Sequence, residues 1–121
     1  MRTRNNNELR LEHVNEVVTL VGWCSKKRNL GGLIFIDLRD RSGIIQLVVN
    51  PENEYYDIAN NIKNEYVIKA SGIIVKRDSV NPNIPTGEIE VNVSYLEILS
   101  KTNEVKLEAI RINEIQNKIT Q

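Results

Sequence analysis

The stretch KKRNLGGLIFIDLRDRSGIIQLVV, residues 26–49, decides the fold. In its first apolar segment Ile34, Ile36 and Leu38 alternate with Leu33, Phe35 and Asp37. Side chains along a strand point to opposite faces with period two, so one face is wholly aliphatic and the other carries an aspartate. The second segment repeats the pattern, with Ile45, Leu47 and Val49 on one face and Ile44, Gln46 and Val48 on the other. Arg41-Ser42-Gly43 between them is a hairpin turn by composition. Phe35, the only phenylalanine of the chain, falls on the face shared with Asp37, and Lys26, Lys27 and Arg28 sit just upstream.

Outward from this hairpin, the same alternation predicts a strand over residues 17–27. Gly22 in its middle suggests a bulge or sharp bend. Residues 29–32 read as a turn. Residues 52–63 change period: Tyr55, Ile58, Ala59 and Ile62 fall at i, i+3, i+4 and i+7, the pattern of an amphipathic helix that Asn53 could cap. Strands return over 65–76 and 88–99, and Ile89, Val91 and Val93 mark the inward face of the last one. Between them Asn81-Pro82, Ile84-Pro85 and Thr86-Gly87 predict a long loop. Residues 1–15 read as a turn or a single helical turn.

Five strands with one helix between the third and fourth is the order of an OB-fold, a five-stranded Greek-key barrel of the all-β class. In that fold the faces of strands two and three, with the loops joining strands one to two and four to five, bind oligonucleotides. Those places hold Phe35, Gln46, Arg28 and the Asn81/Asn83 loop. An aromatic on the outer face of a sheet, beside an amide and a basic cluster, is what a platform for an unstacked base requires. The expectation is that the Phe35 ring and the Gln46 carboxamide project together into solvent from adjacent strands.

Composition narrows the function. The apolar fraction is 40% and the charged fraction 26%, ordinary for a soluble globular domain. No apolar run approaches a membrane span, and no apolar segment follows the charged N-terminus, so neither a membrane partner nor a secretory signal is expected. One cysteine, Cys24, and one histidine, His13, make neither an internal disulfide nor a good metal site. A reducing, cytoplasmic setting is expected. Sixteen basic residues balance 16 acidic ones, which argues against a free-standing, high-affinity, non-specific nucleic-acid binder. It leaves room for a module that reads a few bases while a larger partner holds the phosphates. Residues 1–100 are expected to form the barrel domain. Residues 101–121, with Val105, Ala109, Ile112, Ile115 and Ile119 on one helical face, are expected to form a linker-like C-terminal tail or helix.

MRT at the start, VTLVGW, the 26–49 stretch, NEYVIKASG and NPNIPTGEIEV resemble the N-terminal anticodon-binding domain of bacterial-type aspartyl-tRNA synthetases. The resemblance covers roughly residues 1–100, and GGLIFIDLRDRSGIIQLV is the motif of the aspartyl, asparaginyl and lysyl group. It implies that Phe35 stacks on the central uracil of the anticodon and that Gln46 hydrogen-bonds its edge. It implies that Arg28 contacts the anticodon bases or phosphates, and that Asn81, Asn83 and Glu90 read the flanking positions. The adenylation machinery of such enzymes, which uses ATP and Mg, has no counterpart here. The chain alone is therefore expected not to activate an amino acid and to hold no cofactor. Its expected partners are a tRNA anticodon loop and a catalytic domain, and its expected state is a monomer or weak dimer. It would be an excised domain or a free-standing relative. An OB-fold protein binding single strands without sequence preference, and a protein-interaction domain, are the alternatives.

Plainer roles compete for several residues. Phe35 could pack on the helix or tail, and Lys26–Arg28 could be an ordinary charged turn. Asp37, Arg39, Asp40 and Arg41 read as a structural ion-pair set. Glu88 and Glu90, two apart on one face, lack a nearby nucleophile and read as solvated. Trp23 and Tyr66 are assigned to packing, His13 to a structural role with no visible partner, and Cys24 to the core.

Overall fold

The structure, a computed structural model, describes residues 4–101. Five strands, β1 (Val17–Leu30), β2 (Leu33–Arg39), β3 (Ile44–Val49), β4 (Val67–Lys76) and β5 (Ile89–Ser100), close into a barrel in the order β1-β2-β3-β5-β4. A short helix α1 (Tyr56–Asn61) lies between β3 and β4. This is the expected OB-fold. The helix expected beyond residue 101 lies outside the described residues.

The alternation in β2, β3 and β5 does what it predicts. Ile34, Ile36, Leu38, Ile45, Leu47, Val49, Ile89 and Val91 are fully buried, and with Leu20, Ile68 and Ile74 they fill one core. Ala59 and Ile62, at the end of α1, join the same core. The helix is shorter than residues 52–63, because Asn53 does not cap it. Its side-chain oxygen accepts the Tyr55 N–H at 2.7 Å, a turn that precedes the helix, and its Nδ2 donates to the Val93 carbonyl at 2.7 Å. The N-terminal segment forms two 3-10 turns, Asn6–Glu8 and Leu11–His13. His13 has a partner after all: its Nδ1 accepts the Arg10 N–H at 2.9 Å.

β1 is long because it serves two neighbours. Residues Val17 to Trp23 pair with β4, and Trp23 to Leu30 pair with β2, with a register shift between Cys24 and Lys26. The bulge therefore lies after Gly22. What Gly22 supplies is space: a Cβ there would stand 2.3 Å from the Arg39 carbonyl oxygen. The strand also runs on to Leu30, leaving Gly31-Gly32 as a two-residue hairpin turn. Both glycines have positive φ, 57° and 84°, as the turn that matches strand twist requires.

Two members of the ion-pair set expected around Asp37–Arg41 take partners outside it. Asp40 is buried and ties the β2–β3 turn. Its carboxylate accepts the Ser42 and Gly43 N–H groups at 2.8 and 3.1 Å and the Asn6 N–H at 2.9 Å. A short acceptor side chain can satisfy several turn amides at once, so Asp40 does a backbone task. Asp37 instead pairs with Arg28.

Gly22→Ala forces a Cβ against the β2 backbone and lowers unfolding free energy by about 1–3 kcal/mol, measured by urea titration. Cys24 is buried, and burial pushes its thiol from the usual 9.0 up to about 11. The native state keeps a proton that the unfolded chain releases, so stability is full below pH 9.0 and declines as the pH rises toward about 11. A thiol reagent at neutral pH should label Cys24 only after denaturation.

Candidate nucleic-acid interface

The outer face of β1, β2, β3 and β5 presents two rows of cross-strand neighbours. In one, Arg28 stands opposite Phe35 and Phe35 opposite Val48. In the other, Asp37 stands opposite Gln46 and Gln46 opposite Glu90. The last contact crosses the parallel β3–β5 pairing that closes the barrel. Phe35 and Gln46 are thus diagonal neighbours, near enough for one planar ligand to touch both.

Above these rows lies a cleft of about 530 Å³. Its floor is Arg28, Phe35, Gln46, Val48 and Glu90. Leu30 and Leu33 line it from the β1–β2 turn, and residues 77–82 from the β4–β5 loop. Phe35 is half-buried on this floor. It is a ring at the base of an open cleft and takes no part in the barrel core.

Gln46 departs from expectation. It is only 4% exposed, so its carboxamide does not project into solvent. Arg28 Nη2 donates to Gln46 Oε1 at 2.8 Å, and Gln46 Nε2 donates to Glu90 Oε1 at 2.8 Å. Arg28 is itself held by Asp37, with Nη1 and Nη2 donating to the two carboxylate oxygens at 3.2 and 3.3 Å. Four polar side chains therefore form one connected set, Asp37–Arg28–Gln46–Glu90. The walls rising around the outer face bury the amide, and its neighbours satisfy it.

The remaining candidates separate. Asn81 lines the cleft, and its side-chain oxygen accepts the Asn83 N–H at 3.0 Å. Asn83 is exposed and is not among the lining residues. The loop that carries both is held in shape: the Asn81 N–H donates to the Gly87 carbonyl at 2.9 Å, and the Thr86 hydroxyl donates to the Ile44 carbonyl. Of the three upstream cations, Lys27 is structural, donating to the Asn60 carbonyl at the end of α1 at 2.6 Å. Glu88 is exposed, whereas Glu90 is bonded to Gln46 and so is not merely solvated. Trp23 and Leu99 cover Val21 and Val67 in a second, smaller cluster.

Sequence reasoning missed Leu30, Val80 and Arg77 as lining residues. Leu30 and Val80 are large apolar side chains, 59% and 51% exposed. Their signal was available: an apolar residue beside a Gly-Gly turn, and another within a polar loop, have no core to enter. Among the described residues no cluster of His, Cys, Asp and Glu could hold a metal ion, and no helix is long and apolar enough to cross a membrane.

The family described as OB-fold nucleic acid binding domain, tRNA anti-codon, matches residues 18–99. An aspartate–tRNA ligase 2 of Streptococcus mutans is 50% identical over 95 residues, covering 76% of this chain and 16% of that protein. An aspartate–tRNA ligase of Streptococcus thermophilus is 46% identical over 103 residues, covering 83% and 18%. The crystal structure of asparaginyl-tRNA synthetase from Pyrococcus horikoshii superposes with a TM-score of 0.71 at 27% identity, covering 86% of this chain and 23% of that one. The chain thus spans less than a fifth of the length of these curated relatives.

The Arg28–Asp37 pair is about a quarter to a third exposed at its side chains. Asp37→Asn should therefore change stability by less than about 1 kcal/mol, read from the urea midpoint, with the cleft still formed.

Proposed function

Since the chain belongs to the family of OB-fold nucleic acid binding domains named for the tRNA anticodon, we propose that it is the anticodon-binding module of an aspartate–tRNA ligase. One observation carries this reading. The single phenylalanine and a fixed array of hydrogen-bonding side chains share the floor of one open cleft, on the sheet face where OB-folds take oligonucleotides. Phe35 would stack on the central base of the anticodon, uracil, and Gln46 and Arg28 would meet that base's edge. Asn81 and the rest of the β4–β5 loop would border the flanking bases, with Asn83 reaching them from outside the cleft and Glu90 from its floor.

The charge balance fits a reader of bases better than a holder of phosphates. The cleft is lined by two guanidinium groups, Arg28 and Arg77, and two carboxylates, Asp78 and Glu90. Its net phosphate attraction is small, so most selectivity has to come from stacking and base edges. The remaining phosphate contacts, and the ligation with its ATP and Mg, would belong to a catalytic domain of the parent enzyme. That domain and the anticodon loop are the proposed partners, in the cytoplasm, with this domain monomeric or weakly dimeric by itself.

Stacking on an aromatic contributes ~1–3 kcal/mol per base. Phe35→Ala is therefore expected to weaken binding of an aspartate tRNA anticodon stem-loop by roughly 5- to 150-fold, with the urea midpoint little changed. Isothermal titration measures both forms of the protein. Unchanged affinity removes Phe35 from the site. An unrelated stem-loop binding as tightly as the aspartate one turns the assignment toward non-specific single-strand binding.

A further inference from the structure

We propose that residues 105–119 of this chain dock as an amphipathic helix on an apolar patch outside the barrel, formed by Val21, Trp23, Val67 and Leu99. None of these four residues lines the cleft, so the proposal is independent of the base-reading role.

The patch follows from strand parity. β1 sends Val18, Leu20 and Cys24 into the main core, which leaves Val21 and Trp23 on its outer side. β4 sends Ile68 and Ala70 inward, and Val67 joins Val21 in a separate cluster. Val21 and Val67 are 1% and 0% exposed although they belong to the outer face. Among the described residues, Trp23 and Leu99 are the apolar side chains packed on them, and both are only partly buried. Around this patch the rim is charged with both signs: Arg39 stands opposite Trp23, Lys69 opposite Val21, and Glu97 opposite Lys69.

The path of the chain selects the occupant. Trp23 stands opposite Val67, and Val67 opposite Ser100, the last residue of β5. The chain therefore leaves the barrel on the same cross-strand row as the indole, two strand spacings or about 10 Å from it. Residues 101–104 can span about 13 Å. The stripe of Val105, Ala109, Ile112, Ile115 and Ile119 begins immediately after them. A helix over 105–119 is marginal in water by itself. Laid on the patch, it buries its stripe and covers the indole. Val17 and Leu30, the exposed apolar residues at the two ends of β1, stand about 20 Å along the strand from Trp23, so the stripe meets the Trp23 patch first. The polar flanks of the stripe, Lys106, Glu108, Arg111 and Glu114, carry both signs, as the rim does, and no field of one sign opposes docking. The short tether gives the segment a high effective concentration at the patch, an advantage that a second copy of the chain lacks.

Trp23 is the only tryptophan, so its fluorescence reports on the patch directly. In the full chain, Ile112→Asp with Ile115→Asp places two carboxylates in the stripe. The indole emission should then move to longer wavelength and acrylamide quenching should rise severalfold, with the amide spectrum of the barrel retained. Leu107→Asp with Ile110→Asp, on the opposite side of the helix, should leave both readings unchanged. If the stripe variant does not fold, a nitroxide attached through Asn113→Cys serves with the stripe intact, since Cys24 is buried. It should broaden the amide resonances of Val21, Trp23, Val67 and Leu99 most strongly, at every protein concentration. Unchanged emission and quenching in a folded stripe variant overturns the proposal. So does broadening that is absent or strongest around the cleft. Broadening passed from labelled chains to unlabelled ones, and growing with concentration, also overturns it and assigns the patch to a second copy.

Discussion

The parallel pairing of β3 with β5 is the contact on which the rest depends. It sets Gln46 against Glu90, Leu47 against Val91 and Val48 against Asn92. The antiparallel pairs β1–β2 and β2–β3 are joined by short turns and form from nearby sequence. The β3–β5 pair spans more than forty residues and has only the closed barrel to hold it. Because side chains alternate, a one-residue slip would send Leu47 and Val91 out of the core and turn Gln46 inward. Burial of those aliphatic residues therefore fixes the register that assembles the polar set on the opposite face. Core and site are two sides of the same pairing.

This explains what could be read from the sequence. The barrel was legible because each strand carries its own period-two pattern: Ile34, Ile36 and Leu38 declare their face without reference to any other strand. The turns were legible from Gly31-Gly32 and Ser42-Gly43, where backbone conformation limits the residue type. Phe35 on the outer face followed from parity alone. Gln46 also followed from parity, but its burial did not. An outer face is solvated only where nothing rises above it, and here the β1–β2 turn and the β4–β5 loop do. Their heights come from tertiary packing, such as Tyr56 Oη donating to the Gly32 carbonyl and the Asn81–Gly87 backbone bond. Neither contact has a local signature. The backbone role of Asp40 was hidden for a related reason: it accepts two N–H groups and the Ser42 hydroxyl just ahead in the turn and one N–H 34 positions away at Asn6, and charge pattern alone points to arginines instead.

A connected polar set around a buried amide has to be complete to be tolerated, because one unsatisfied member costs more than its bond contributes. The set here is complete without a ligand. Asp37 holds Arg28 at two points, Arg28 and Glu90 hold Gln46 at both ends, and the charges alternate so that two carboxylates flank one guanidinium and one neutral amide. The partial exposure of Arg28 and Asp37 keeps the desolvation cost of the ion pair modest. An apolar replacement of similar volume can be as stable, so stability alone does not account for four polar groups at this point in the sheet.

Such completeness has a consequence for how a ligand would meet the site. Flexible side chains that order only on contact lose rotamer freedom on binding, at about 0.5–1.5 kcal/mol each. Phe35 is fixed between neighbouring strands, and Gln46 is fixed at both amide ends, so neither has much freedom left to lose. A base entering the cleft would use lone pairs and protons that the internal bonds leave over, without first breaking those bonds. The charges lining the cleft nearly cancel, and its hydrogen-bonding groups are held in a fixed order. The curated relatives are several times the length of this chain. Long-range attraction to a polyanion can be supplied anywhere on a large protein, but the reading of a base edge has to be built where the base lands.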